Sequence, residues 1–228
     1  MYLANKLHKD FNEHLSSRAL VGKSLTYTSL SKILNTCMRK YGIRVRVSRD
    51  NTLRSTTKYR TRQKFNFSGY FITNTKKNSI CITVHVPDNA DVITLTTATH
   101  RKFLFEFSRV IQHELIHKIQ YTYRPEESDR VVQVLYSESL PKIRKEEIQY
   151  LSVRCEVEAY AHDIAMEIKK FYSTENTNSV IKNIDRKSKL ESYIRYKTTF
   201  KGLQWDKLKK SLLRKVWKWT PSAHIPLI

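Results

Sequence analysis

The chain is short of acid. Asp and Glu number 21 against 42 Lys and Arg among 228 residues, which gives a formal charge of +21 at pH 7. Such a surplus does not choose a fold, but it favours acidic partners such as nucleic acid, anionic lipid or an acidic protein surface. Long apolar runs are missing as well. Nothing approaches the roughly 18 uninterrupted apolar residues of a membrane span, and the opening MYLANKLHKDFNEHL is too polar for a signal peptide. A soluble, cytoplasmic protein without membrane partners is expected. Cysteines are few: Cys37, Cys81 and Cys155 are far apart, form no CxxC pair and are odd in number. A disulfide framework and a cysteine-based zinc ribbon are thereby excluded, and each thiol is expected to be buried and structural. There is no internal repeat and no low-complexity tract.

What is present suffices for a fold. Hydrophobic residues make up 40% and aromatics 11% of the chain, enough apolar surface to offset chain entropy in one core with a tail. Leu3, Leu7, Phe11 and Leu15 recur at helical spacing, as do Leu30, Ile33, Leu34 and Met38 between Ser24 and Tyr41, so two N-terminal helices are predicted. Gly42 is a natural stop for the second. Ile43–Val47, Ser68–Thr73 and Ser79–Pro87 alternate and are rich in β-branched and aromatic residues, which predicts three strands, with residues 74–78 as a hairpin loop. Between Thr99 and Tyr123, Phe103, Phe107, Val110, Ile111, Leu115 and Ile119 form one apolar helical stripe that Pro125 ends. Val131–Tyr136 reads as a short strand or an apolar loop. Lys142–Tyr172 reads as a second long helix, and basic helical segments follow to Trp219. The result is an α+β chain with a helical N-terminal arm over 1–42, a central domain over 43–172 and a basic helical extension over 173–228.

The third helix carries His113-Glu114-Leu115-Ile116-His117. Residues four apart share a helix face, so both imidazoles can reach one metal ion. Glu114, beside the first histidine, is positioned to reach a water on that ion. Zinc held by neutral imidazoles brings the pKa of its water toward about 7, and a carboxylate within reach can take the proton as the water attacks a carbonyl. The plainer alternative is an amphipathic helix with two polar-face histidines and an ordinary glutamate.

Strands, then a helix bearing HExxH, then a second helix able to supply a ligand: this order resembles the zincin metallopeptidases. Glu156-Val157-Glu158-Ala159-Tyr160-Ala161-His162-Asp163 stands where the glutamate-ligand branch, the gluzincins, carries ExxA. The resemblance implies Zn2+ as cofactor, a protein or peptide substrate and Glu156 as third ligand, with Ala159 as the small residue of the pattern. Glu158 lies about 200° around the helix from Glu156, so the two are alternatives for one ion. His162 is a further alternative. Asp163 returns to the face of Glu156 and could orient a ligand histidine, or be a solvated carboxylate. The oxyanion donor that such chemistry needs could be Tyr121, Tyr123, Tyr136 or Tyr160. HExxH runs on as Lys118-Ile119-Gln120-Tyr121 without a third histidine, which disfavours the metzincin branch. In such sites substrate commonly lies along an exposed edge strand, for which Ser79–Val86 is the candidate.

Two regions join cations to aromatics. One runs from Arg44 to Phe67 and includes Arg54, Lys58, Tyr59, Arg60, Arg62, Lys64 and Phe65; the other runs from Lys182 to Trp219. Aromatics between cations can stack on bases while Lys and Arg track phosphates, although such runs are more often solvated helix faces with aromatic anchors. The chain is loosely similar to zincin-like proteins encoded by tailed bacteriophages. That similarity implies a host-cell or virion setting and phage-particle partners. A structural zincin fold without turnover and a basic nucleic-acid-binding protein are the rival functions.

Overall fold

A computed structural model describes residues 15, 20–50, 65–72, 79–88, 92–128, 142–221 and 223. The fold is mixed α+β and divides into two compact units whose boundary falls inside one helix, between Leu115 and Ile116. Most of the helix expected over 1–20, the 74–78 loop and the Val131–Tyr136 segment lie outside the described residues.

In the first unit, β1 (Ser24–Thr26) leads into α1 (Tyr27–Met38), followed by a 3-10 turn (Arg39–Tyr41) and β2 (Ile43–Asp50). The Thr26 hydroxyl caps α1 by accepting from the Ser29 amide, so the helix starts three residues later than its apolar spacing suggests. Ser24–Thr26 instead pairs antiparallel with β5 (Val92–Thr94), a short strand the sequence did not disclose. Gly42 adopts φ 72°, the left-handed stop expected of it. Further on come β3 (Asn66–Ile72) and β4 (Ser79–Pro87), in a sheet ordered β2-β4-β3. β2 runs parallel and β3 antiparallel to β4.

The order corrects one expectation. β4 is central, so Ser79–Val86 is not an edge. Ile80, Ile82, Val84 and Val86 fill one face and Cys81 is buried on the other, the near-continuous apolar content of an interior strand. β3 is an edge, with no strand on its far side among the described residues. The other edge, β2, is covered at Val45, whose amide donates to Asn35 Oδ1 (3.0 Å) while its carbonyl accepts from Asn35 Nδ2 (2.7 Å).

Helix α2 (Thr97–Tyr123) begins at a reciprocal cap: the Thr99 amide donates to Thr96 Oγ1 and the Thr96 amide to Thr99 Oγ1. Its stripe of Phe103, Leu104, Phe107, Ile111 and Leu115 completes the first unit's core, with Phe65 and Phe67 edge-on to Phe103. Each such buried side chain contributes roughly 1.5–3 kcal/mol. Phe65 is therefore a core residue and not a base-stacking one.

The second unit follows α2 with α3 (Pro125–Ser128), α4 (Lys142–Ser152), α5 (Arg154–Phe171), α6 (Thr177–Lys182), a 3-10 turn (Ile184–Arg186), α7 (Glu191–Thr199) and α8 (Gly202–Trp219). The long helix expected from Lys142 to Tyr172 is two, broken at Val153, which is extended (φ −63°, ψ 134°). α5 is the central helix of this unit, packed on α4, α7 and α8 and buried from Glu156 to Ile168 apart from Glu158. Ala159, Ala161 and Ala165 keep it slim, and α8 presents Leu208, Leu212 and Val216 as its apolar stripe. Cys37 and Cys81 are buried as expected, whereas Cys155 is half-buried. Among the described residues no helix is long and apolar enough to cross a membrane.

Candidate metal centre

Helical periodicity places His113 and His117 one turn apart on α2, and both are shielded from solvent. Glu156 stands in the first turn of α5 and is 7% exposed. One imidazole nitrogen from each histidine and one carboxylate oxygen of Glu156 all lie within 4.8 Å of one another. His117 Nε2 and Glu156 Oε1 are 3.2 Å apart. Tetrahedral zinc with ligands at 2.0–2.2 Å requires donor separations of about 3.3–3.6 Å; the His117–Glu156 pair is already near that spacing, and any wider separation, up to 4.8 Å, would close toward it around an ion. Two imidazoles and a carboxylate are also the ligand types that a catalytic zinc takes.

His117 is held in the matching tautomer. Its Nδ1 is 3.1 Å from Gln120 Oε1, an atom that can only accept, so Nδ1 carries the proton and Nε2 presents its lone pair to the site. Gln120 is itself fixed, because its Nε2 donates to the Cys155 carbonyl and to Glu158 Oε2, both at 3.2 Å. Glu158 thus has its own occupation. Its Oε2 also faces Arg124 at 3.6 Å and Lys215 at 4.0 Å. His162 packs edge-on against Trp219 of α8, ring centroids 5.1 Å apart. The structure therefore gathers His113, His117 and Glu156, while Glu158 and His162 are engaged elsewhere. Asp163 is buried on α5, in keeping with a positioning role and not with a solvated carboxylate.

Gln120 stands one helical turn after His117, but nothing in the sequence assigns it a role. Gly69 escaped the sequence reading too. A Cβ there would lie 2.7 Å from Glu114 Cγ and 2.8 Å from Glu114 Oε1 and Val110 Cγ1. The missing side chain on edge strand β3 is what lets the Glu114 carboxylate lie against that strand. A lone glycine inside a strand pattern signals such an approach.

No protein-family model, curated protein or solved structure matches the chain. The reading of the centre accordingly rests on its own geometry.

Tyr160 follows Glu156 by one helical turn and so shares its side of α5. Its hydroxyl accepts from Arg195 Nη1 at 2.5 Å, and the guanidinium, 5.5 Å from the ring centroid, is tied in turn to Glu147 at 3.3 Å. Behind Tyr160, burial together with the neighbouring Tyr160 and Glu156 pushes the Tyr196 hydroxyl well above the usual phenol range. Tyr196 stays protonated and donates to the Leu151 carbonyl at 3.0 Å. Of the four tyrosines considered from sequence, Tyr121 and Tyr123 are exposed and Tyr136 lies outside the described residues.

Proposed function

We propose that the chain is a zinc-dependent peptidase with a zincin-like architecture, in which His113, His117 and Glu156 hold the metal and Glu114 is the general base. One observation carries this reading: three donor atoms of the types zinc takes converge within 4.8 Å, from residues that HExxH and ExxA single out. A mixed sheet with an antiparallel edge strand preceding the HExxH helix is compatible with it.

Zinc supplies Lewis acidity, enough to make water a competent nucleophile near pH 7. The protein supplies the rest. Glu114 accepts a proton on its carboxylate as the water oxygen bonds to the peptide carbonyl carbon, and returns it to the amine nitrogen as the C–N bond breaks. Gln120 holds the His117 ring so that Nε2 is the ligand atom. The Tyr160 hydroxyl, on the Glu156 side of α5 and already accepting from Arg195, is the candidate donor to the developing oxyanion. The edge of β3, which has no strand beyond it among the described residues and lies beside Glu114, would offer backbone groups to an extended substrate, the role that central β4 cannot take.

The test is hydrolysis of an unfolded protein substrate by Glu114→Gln. Activity is expected to fall by about 10²–10⁴-fold with bound zinc retained. Undiminished hydrolysis by this variant would remove Glu114 as the base.

A further inference from the structure

The second unit contains a cationic cleft that the peptidase reading leaves unused. It has a volume of about 360 Å³ and is lined by Arg154 and Val157 from the first turn of α5 and by Ser211, Arg214, Lys215 and Lys218 from α8. The α8 residues fall at i, i+3, i+4 and i+7 and so form one stripe of that helix. Among the described residues no carboxylate lines the cleft. The nearest described one facing it is Glu158, 4.0 Å from Lys215 and shared with Arg124 and Gln120.

Four cations around so small a space repel one another, and an anion between them relieves the repulsion. Burial, followed by the like charges of Arg154, Arg124 and Lys218, holds the Lys215 ammonium below the usual lysine range, against the pull of Glu158. The cleft also lies at the positive end of the 18-residue helix α5, where Val153 offers no side-chain cap. Planar guanidinium forks, an ammonium and a hydroxyl are the donors that phosphate oxygens take.

The cations continue past the cleft. Lys207, Lys210, Arg214 and Lys218 are all exposed and follow each other at steps of three and four along α8, a row about 16 Å long. One phosphate needs no such row, whereas a polymer of phosphates does. Trp217 stands beside it, 58% exposed, its ring oriented by Nε1 donating to Asn178 Oδ1 at 3.0 Å. An exposed, oriented indole next to a phosphate track suits unpaired bases.

We infer that this cleft and the cationic row of α8 bind the phosphate backbone of single-stranded nucleic acid, with Trp217 as a stacking surface for a base. None of the residues lining the cleft belongs to the donor set His113, His117 and Glu156, so binding does not require the metal.

Fluorescence anisotropy of the full chain with a labelled single-stranded 20-mer, titrated over a range of salt, tests this. Arg214→Gln/Lys218→Gln is expected to weaken binding about tenfold or more and to lower the slope of log K against log salt by about 1–2. Trp217→Ala is expected to weaken binding several-fold with the slope unchanged. Arg44→Gln/Arg46→Gln, which removes the same charge from β2, serves as control, and equal melting temperatures confirm that each variant is folded. The inference is overturned if the control pair weakens binding as much as the cleft pair, if the cleft pair has no effect, or if duplex binds as tightly as single strand with Trp217→Ala indifferent. Absence of oligonucleotide binding at low salt would also overturn it.

Discussion

At the scale of single residues the candidate centre is organised by a side chain that touches no metal. Gln120 accepts from His117 Nδ1 and is anchored by Cys155 and Glu158, so one amide fixes both the tautomer and the ring plane of His117. Gln120→Ala is therefore expected to weaken zinc binding by about 10–100-fold while the helix persists, measured by competition with a chromogenic chelator. Unchanged affinity would leave Gln120 as packing only. The grouping of His113, His117 and Glu156 was legible because helix periodicity decides which residues share a face: His113 with His117, and Glu156 apart from Glu158. Gln120 was not, since an amide acquires a role only from its partners. Gly69 was half legible, as a strand glycine whose neighbour, Glu114, lies far along the chain.

At the scale of elements, α5 determines what the second unit can do. A helix buried on nearly every side must satisfy its polar groups internally, and Glu167 does so by accepting from the Ser192 amide (3.1 Å) and the Ser192 hydroxyl (2.8 Å). Leu190 at the N-cap of α7 has no oxygen to offer, so a carboxylate from α5 caps that helix. Glu167→Ala strands two buried donors and is expected to cost about 2–4 kcal/mol, a drop of several degrees in melting temperature by calorimetry. A shift under one degree would refute the capping role. The break at Val153 was not legible, because neither glycine nor proline marks it. The central place of β4 had a signal in its near-continuous apolar run, but strand order is long-range information that alternation does not carry. The N-caps at Thr26 and Thr96 explain why α1 and α2 start where they do, and both are threonines just ahead of an apolar run.

At the scale of the molecule, the excess of +21 leaves few carboxylates, and those present collect cations. Asp185 accepts from Lys209 (2.5 Å) and Tyr193 (2.8 Å) and faces Lys197 (3.1 Å). The bond from Lys209, with those from Tyr193 and Lys197, outweighs burial and holds its carboxyl at about 2. A depressed carboxylate stabilises above its unfolded value near 3.9 and loses that contribution as pH falls toward 2. Half exposure and screening keep the effect to about 1 kcal/mol or less. Asp185→Asn is thus expected to melt slightly below wild type at pH 6, with the difference shrinking as pH falls toward 2; a constant difference across that range would exclude the linkage. The sequence disclosed the charge surplus and its crowding from Lys182 to Trp219 but not which cations share a cleft, and the division of the chain inside α2 left no mark in the sequence.

Whether His113, His117 and Glu156 hold zinc is decided by elemental analysis of native wild type, Glu156→Gln and Glu158→Gln. About one zinc per chain in wild type and in Glu158→Gln, with loss in Glu156→Gln, is the expected result. Absence of stoichiometric zinc from wild type, or equal retention by Glu156→Gln, would contradict the centre formed by His113, His117 and Glu156.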